Sequence, residues 1–82
     1  MKVDFDKRRD AAYFAFSTAH AARQVRIDGG RIIDYGSDGE AIGVEFLSPL
    51  SGMDLSDVPR ALDIEREARR LGFVIRVPAS AA

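Results

Sequence analysis

The stretch Arg31-Ile-Ile-Asp-Tyr-Gly-Ser-Asp-Gly-Glu-Ala-Ile-Gly-Val-Glu-Phe-Leu47 decides the fold. It holds two apolar segments separated by Asp38-Gly39, a dipeptide that favours a tight hairpin because glycine reaches positive φ without a steric penalty. With Asp38 and Gly39 as the two turn residues, Tyr35 lies opposite Ile42 and Ile33 opposite Val44. Those four, with Phe46, form one apolar face, and Ile32, Asp34, Gly43, Glu45 and Leu47 share the other. A slip of one residue would exchange the faces of a strand. Asp34, Asp38 and Glu45 punctuate an otherwise apolar ribbon, and a charge kept inside a strand needs a partner because burying it alone is costly.

Working outward, Gln24 to Asp28 alternates and is followed by Gly29-Gly30, which permits a second reversal, so three consecutive antiparallel strands form a meander. Lys2 to Asp6 alternates as a half-buried strand, Lys7-Arg8-Arg9 is a polar corner, and Ala11 to Phe16 is an aromatic-rich strand. The alanines make a helix over 10–23 the competing reading. Ser17 to Arg23 is a connection, and Ser48 to Ser56 is a loop broken by Pro49 and Gly52. Pro59 suits the first turn of a helix over about 59–71, with Ser56 or Asp57 placed to cap it. Ala61, Ile64, Ala68 and Leu71 form its apolar stripe, Glu65–Arg69 and Glu67–Arg70 have ion-pair spacing, and Gly72 ends it. Residues 73–77 are a last strand before Pro78, and 79–82 are a frayed tail. The expectation is one α+β domain over 1–78: an antiparallel sheet of five or six short strands, as a meander of hairpins, with one amphipathic helix on one face. Both faces of the central strands carry apolar side chains and one helix covers one face, so the other is expected to meet a partner or a second copy.

Composition fits a small globular chain: 82 residues, 46% hydrophobic and 30% charged, with no cysteine and therefore neither disulfides nor thiolate metal sites. The N-terminal residues show no signal-peptide pattern, and no apolar run approaches the ~20 residues that cross a bilayer. A cytoplasmic location is expected. Net charge is −1 but unevenly spread: residues 1–27 sum to +3, 28–57 to −6 and 58–82 to +2. No basic stripe of the kind that grips nucleic acid is present, and Arg60, Arg66, Arg69 and Arg70 share their helix with carboxylates.

Several residues invite a chemical reading. Asp34-x-Gly36-x-Asp38-Gly39 followed by Glu45 nearly matches a calcium loop, but Gly36 offers no ligand and the flanks read as strands. Asp34 and Glu45 share a sheet face, where a carboxylate pair can do acid–base work or bind an arginine such as Arg26 or Arg31. His20 is the sole histidine and cannot complete a common zinc set. No Gly-x-Ser-x-Gly elbow and no Gly-x-Gly-x-x-Gly fingerprint occur. Tyr13, Phe14 and Phe16 could stack bases but lack a basic groove. No catalytic set, cofactor or metal is expected.

Two motifs are similar to those of a known small family. Phe5-Asp6, three residues, then Asp10-Ala-Ala-Tyr13 resembles its opening, and Ile33-Asp34-Tyr35 with Asp38-Gly39 and Ile42-Gly43-Val44-Glu45-Phe-Leu47 resembles its second motif. The family is the bacterial and archaeal domain of unknown function 2283, and the likeness spans about residues 1–50. Gly36 stands where the family usually has a second Asp, and Ala12 where it often has Leu. The resemblance implies a short single-domain protein, cytosolic in appearance, with no assigned activity. Some members look like the small partner in two-gene modules with toxin-like proteins. The leading expectation is a non-enzymatic interaction module that binds a protein partner, or itself, through its sheet and acidic hairpin. The alternative is a small-ligand or metal binder, the candidate contacts being Asp6, Asp10, Tyr13, Asp34, Asp38 and Glu45. Neither a membrane nor a nucleic acid is expected as partner.

Overall fold

The computed structural model describes residues 1–80, so the end of the expected tail lies outside the described residues. Five strands, β1 (Lys2–Asp6), β2 (Ala11–Ala15), β3 (Arg23–Asp28), β4 (Arg31–Tyr35) and β5 (Ala41–Leu47), form one antiparallel sheet in the order β1-β2-β5-β4-β3. The last three make the expected meander. β2 pairs with β5 rather than with β3, so residues 16–22 carry the chain past the β4–β5 turn to the far edge, a Greek-key connection. The aromatic side chains over 11–16 win against the helical propensity of the alanines because Phe14 is fully buried against Phe46, with ring centroids 5.6 Å apart and edge-to-face.

The tip of the central hairpin differs from a two-residue turn. The Gly36 amide donates to the Glu40 carbonyl (2.9 Å) and the Gly39 amide to the Gly36 carbonyl (3.0 Å), leaving the three-residue loop Ser37-Asp38-Gly39. Gly39 has φ +85°, the left-handed residue that closes such loops. Tyr35 therefore pairs with Ala41, not Ile42. A bulge between Asp34 and Tyr35 restores the expected register further down, with Asp34 opposite Gly43 and Ile33 opposite Val44. Burying Ile33, Ile42, Val44 and Phe46 on one side requires that correction.

The inner face of the sheet is covered by the C-terminal third. A short 3-10 turn at Pro49–Ser51 leads into β6 (Met53–Asp54), then α1 (Ala61–Arg70) and β7 (Ile75–Val77). The final strand is shorter than expected. It leaves the main sheet and pairs in parallel with β6, which lies inside the segment read as a plain loop. Met53, Leu55, Val58, Ile64 and Ala68 complete one core with Ala12, Phe14, Ile33, Val44 and Phe46. Of the expected stripe on α1, Ile64 and Ala68 are buried, whereas Leu71 is exposed. The Glu65–Arg69 and Glu67–Arg70 pairs form. Neither Ser56 nor Asp57 caps the helix. The helix starts at Ala61, two residues later than expected, so Arg60, at φ +53°, occupies the cap position without a side-chain cap, and Ser56 instead bonds Asp54. Ala79, assigned to the tail, donates its amide to Glu65 (2.8 Å), and that bond with Arg69 beside it holds the Glu65 carboxyl below its ordinary range.

Arg31 ties the two layers together. It starts β4 on the inner face and is 93% buried, the only buried charged residue among the described residues. Its Nε and Nη2 donate to Asp28 Oδ2 (3.1 and 2.9 Å), and its Nη1 donates to the carbonyls of Asp54 (3.3 Å) and Ser56. Arg31 was expected near Asp34 and Glu45. It points away from them because odd-numbered residues of β4 face the core.

Candidate functional site

Among the described residues, no element packs on the outer face of the sheet. The pleat brings Asp4 of β1, Tyr13 of β2, Glu45 of β5, Ile32 of β4 and Arg26 of β3 into one cross-strand row. The next row holds Lys2, Ala15, Gly43, Asp34 and Gln24. An open hollow of about 460 Å³ lies over the first row and is lined also by Asp6, Arg9, Ala11 and Leu47. The outer face is mixed, with the apolar and acidic residues that the strand pattern assigns to it. Ile32 and Leu47 are present and half-buried, but acidic and basic side chains surround them.

Tyr13 is the centre of the face. Its ring lies across Gly43, where a Cβ would stand 2.1 Å from the Tyr13 hydroxyl oxygen and 2.4 Å from Cζ, so only glycine fits beneath it. The hydroxyl donates to Asp34 Oδ2 (3.0 Å), and Gln24 Nε2 donates to Asp34 Oδ1 (2.8 Å). Asp34 thus bridges β2 and β3 from β4, and its two oxygens are occupied. Burial pushes the Tyr13 phenol up to about 12, and the bond to Asp34 and the nearby negative charges of Asp34 and Glu45 add to this. At neutral pH the phenol keeps its proton and acts as a donor, not as a base or nucleophile.

The remaining candidates divide. Asp6 borders the hollow, but its Oδ1 accepts from the amides of Arg8 (3.1 Å) and Arg9 (3.2 Å) and so shapes the β1–β2 turn. Asp10, three residues before Tyr13, falls on the opposite side of the pleat. With φ +50°, it accepts from Ser48 N at its carbonyl (2.8 Å) and from Leu50 N at Oδ1 (3.3 Å), anchoring the exit from β5. Asp38 accepts from the Glu40 amide (3.0 Å) at the hairpin tip. It lines a separate open groove of about 750 Å³ with His20, Phe16 and Arg60. Four candidates, Asp6, Tyr13, Asp34 and Glu45, therefore share a face, and Asp10 and Asp38 do not join them. Among the described residues, no group of three or more His, Asp or Glu is placed to hold a metal ion. Sequence reading missed Gln24, Asp4 and Arg9 on this face. Their register through β2 and β5 was the signal required, and the pairing of β2 with β5 was not visible locally.

Fold and face together define a small α+β protein with a covered inner sheet face and an uncovered, polar outer one. The chain belongs to the family described as "Protein of unknown function (DUF2283)", whose model matches residues 2–48, the span of the five-stranded sheet with its connections. The two motifs quoted above meet physically here: Tyr13 of the first rests on Gly43 of the second and bonds Asp34. Comparison with curated proteins and with solved structures gives no match. Among the described residues, no helix is long and apolar enough to cross a membrane.

Proposed function

We propose that this protein is a non-enzymatic interaction module whose outer sheet face docks a protein partner. The observation that carries this reading is Tyr13, a half-buried aromatic held rigid by Asp34 and Gly43 at the middle of an uncovered sheet face. Half-buried Ile32 and Leu47 flank it, and Asp4, Asp6, Glu45, Arg9 and Arg26 form a charged rim. A fixed aromatic anchor inside a polar rim is the arrangement that concentrates binding energy at protein interfaces. We place the contact in the cytoplasm, in keeping with a chain that uses no cysteine. A neighbouring toxin-like gene product is the first partner to try.

The test is co-purification from the native host with wild type and with Ile32→Lys and Glu45→Lys, both of which leave the inner core untouched. A partner retained by wild type and weakened about 30-fold or more by the variants supports the outer face. A partner retained equally by all three, with melting temperatures unchanged, would place the contact elsewhere.

A further inference from the structure

The two sheet edges are unlike. β3 is guarded: it carries Arg23 and Arg26 and is interrupted by a bulge between Arg26 and Asp28. Such devices discourage strand addition. β1 also carries charges, Lys2, Asp4 and Asp6, but they are of both signs, so an identical strand can match them, and it pairs with β2 residue for residue without a bulge. Its unused hydrogen-bonding groups can be assigned. Phe16 donates its amide to Ile42 and Ser48 donates to Asp10, so even-numbered residues of β2 bond β5 and odd-numbered ones bond β1. Lys2, Asp4 and Asp6 stand opposite those odd-numbered residues and spend their backbone groups on β2. The amides and carbonyls of Val3 and Phe5 therefore face outward. Beside them lies an apolar hollow of about 190 Å³ lined by Phe5, Leu50, Leu71, Gly72 and Phe73, with the Phe5 and Phe73 rings edge-to-face at 5.1 Å.

We propose that β1 pairs antiparallel with β1 of a second copy, about a two-fold axis at Val3, giving a continuous ten-stranded sheet. Outward groups must meet outward groups, which restricts the axis to Val3, Asp4 or Phe5. An axis at Asp4 pairs Lys2 with Asp6 twice but sets Asp4 against Asp4 at its centre, and one at Phe5 sets Asp4 against Asp6 of the second copy twice, so each carries a like-charge contact that the axis at Val3 avoids. The axis at Val3 instead sets Lys2 opposite Asp4 twice, Val3 opposite Val3, and Met1 opposite Phe5. Met1 and Phe5 are both exposed in the single chain, at 43% and 37%, so the pairing covers apolar surface that is otherwise wet. The contact is small, so the dimer is weak, with a dissociation constant of order tens of micromolar. The edge shares Asp4 and Asp6 with the rim of the outer face, but self-association of the purified chain and capture of a partner are separate measurements, so either reading can fail without the other.

Sedimentation equilibrium of the purified chain from about 1 to about 500 micromolar tests it. The expected result is a monomer–dimer equilibrium that stops at the dimer. Asp4→Lys opposes like charges and is expected to weaken it about tenfold, while adding Lys2→Asp to that variant restores it. Amide exchange at Val3 and Phe5 is expected to slow as concentration rises. A monomer throughout overturns the proposal. So does a species that keeps growing with concentration, the signature of β1 pairing head-to-tail with β3. A dimer indifferent to the charge swap overturns the register and with it the proposal.

Discussion

Tyr13 and Gly43 act as one unit, since the ring occupies the volume a side chain at 43 would need. Gly43→Ala is expected to cost about 1–3 kcal/mol in chemical denaturation, because the new methyl must push the ring off Asp34. In a Tyr13→Ala background the same change is expected to cost much less, and that coupling separates a steric cause from a backbone one. The Tyr13 hydroxyl supplies a second test. Its folded-state value of about 12 lies above the unfolded one, so its stabilisation is complete below about pH 10 and is lost as pH rises toward the folded value. Tyr13→Phe is expected to remove a late tyrosinate step from the ultraviolet titration and about 1 kcal/mol of stability at neutral pH. The two carboxylates that stood out in the sequence, Asp34 and Glu45, do face out of the sheet beside Tyr13. The phenol between them could not be placed from sequence, because Tyr13 and Asp34 are 21 residues apart and meet only through β5.

Among the elements, the β3–β4–β5 meander and the helix were legible because period and turn chemistry are local signals. The exact tip was not. Ser37-Asp38-Gly39 and Asp38-Gly39 are equally good loops on paper, and the bulge that reconciles the first with the buried face is decided by the core. β6 was illegible for another reason: two residues carry no period, and its partner β7 begins at Ile75 after an intervening helix. Arg31 bridges these regions, and nothing in its local sequence marks an arginine that is to be buried. Arg31→Met is expected to cost about 2–4 kcal/mol, since it strips donors from the Asp54 and Ser56 carbonyls and from Asp28. The Arg31 hydrogen bond, then the Gly30 amide, holds the Asp28 carboxyl below its ordinary range, and Ser56 first, helped by Arg31 and Arg76, does so for Asp54. Both folded values lie below the unfolded ones, so this stabilisation is whole at neutral pH and is lost as pH falls through the depressed values. Melting temperatures taken downward from about pH 5 are expected to fall more steeply for wild type than for Arg31→Met.

At the scale of the molecule, the sheet is a two-sided object with different obligations on each side. Its outer face is wet and stands by its own hydrogen bonds, and its inner face is dry only because residues 49–80 lie over it. The family match ends at residue 48, just before that cover begins. Half of the core residues, Met53, Leu55, Val58, Ile64 and Ala68, come from beyond the match. A chain truncated after β5 would bare Phe14, Val44 and Phe46 to solvent, and its sheet would have to borrow a roof from another molecule or aggregate. In this chain the matched span is thus a sheet left open on one side, and residues 49–80 are the roof that keeps it dry.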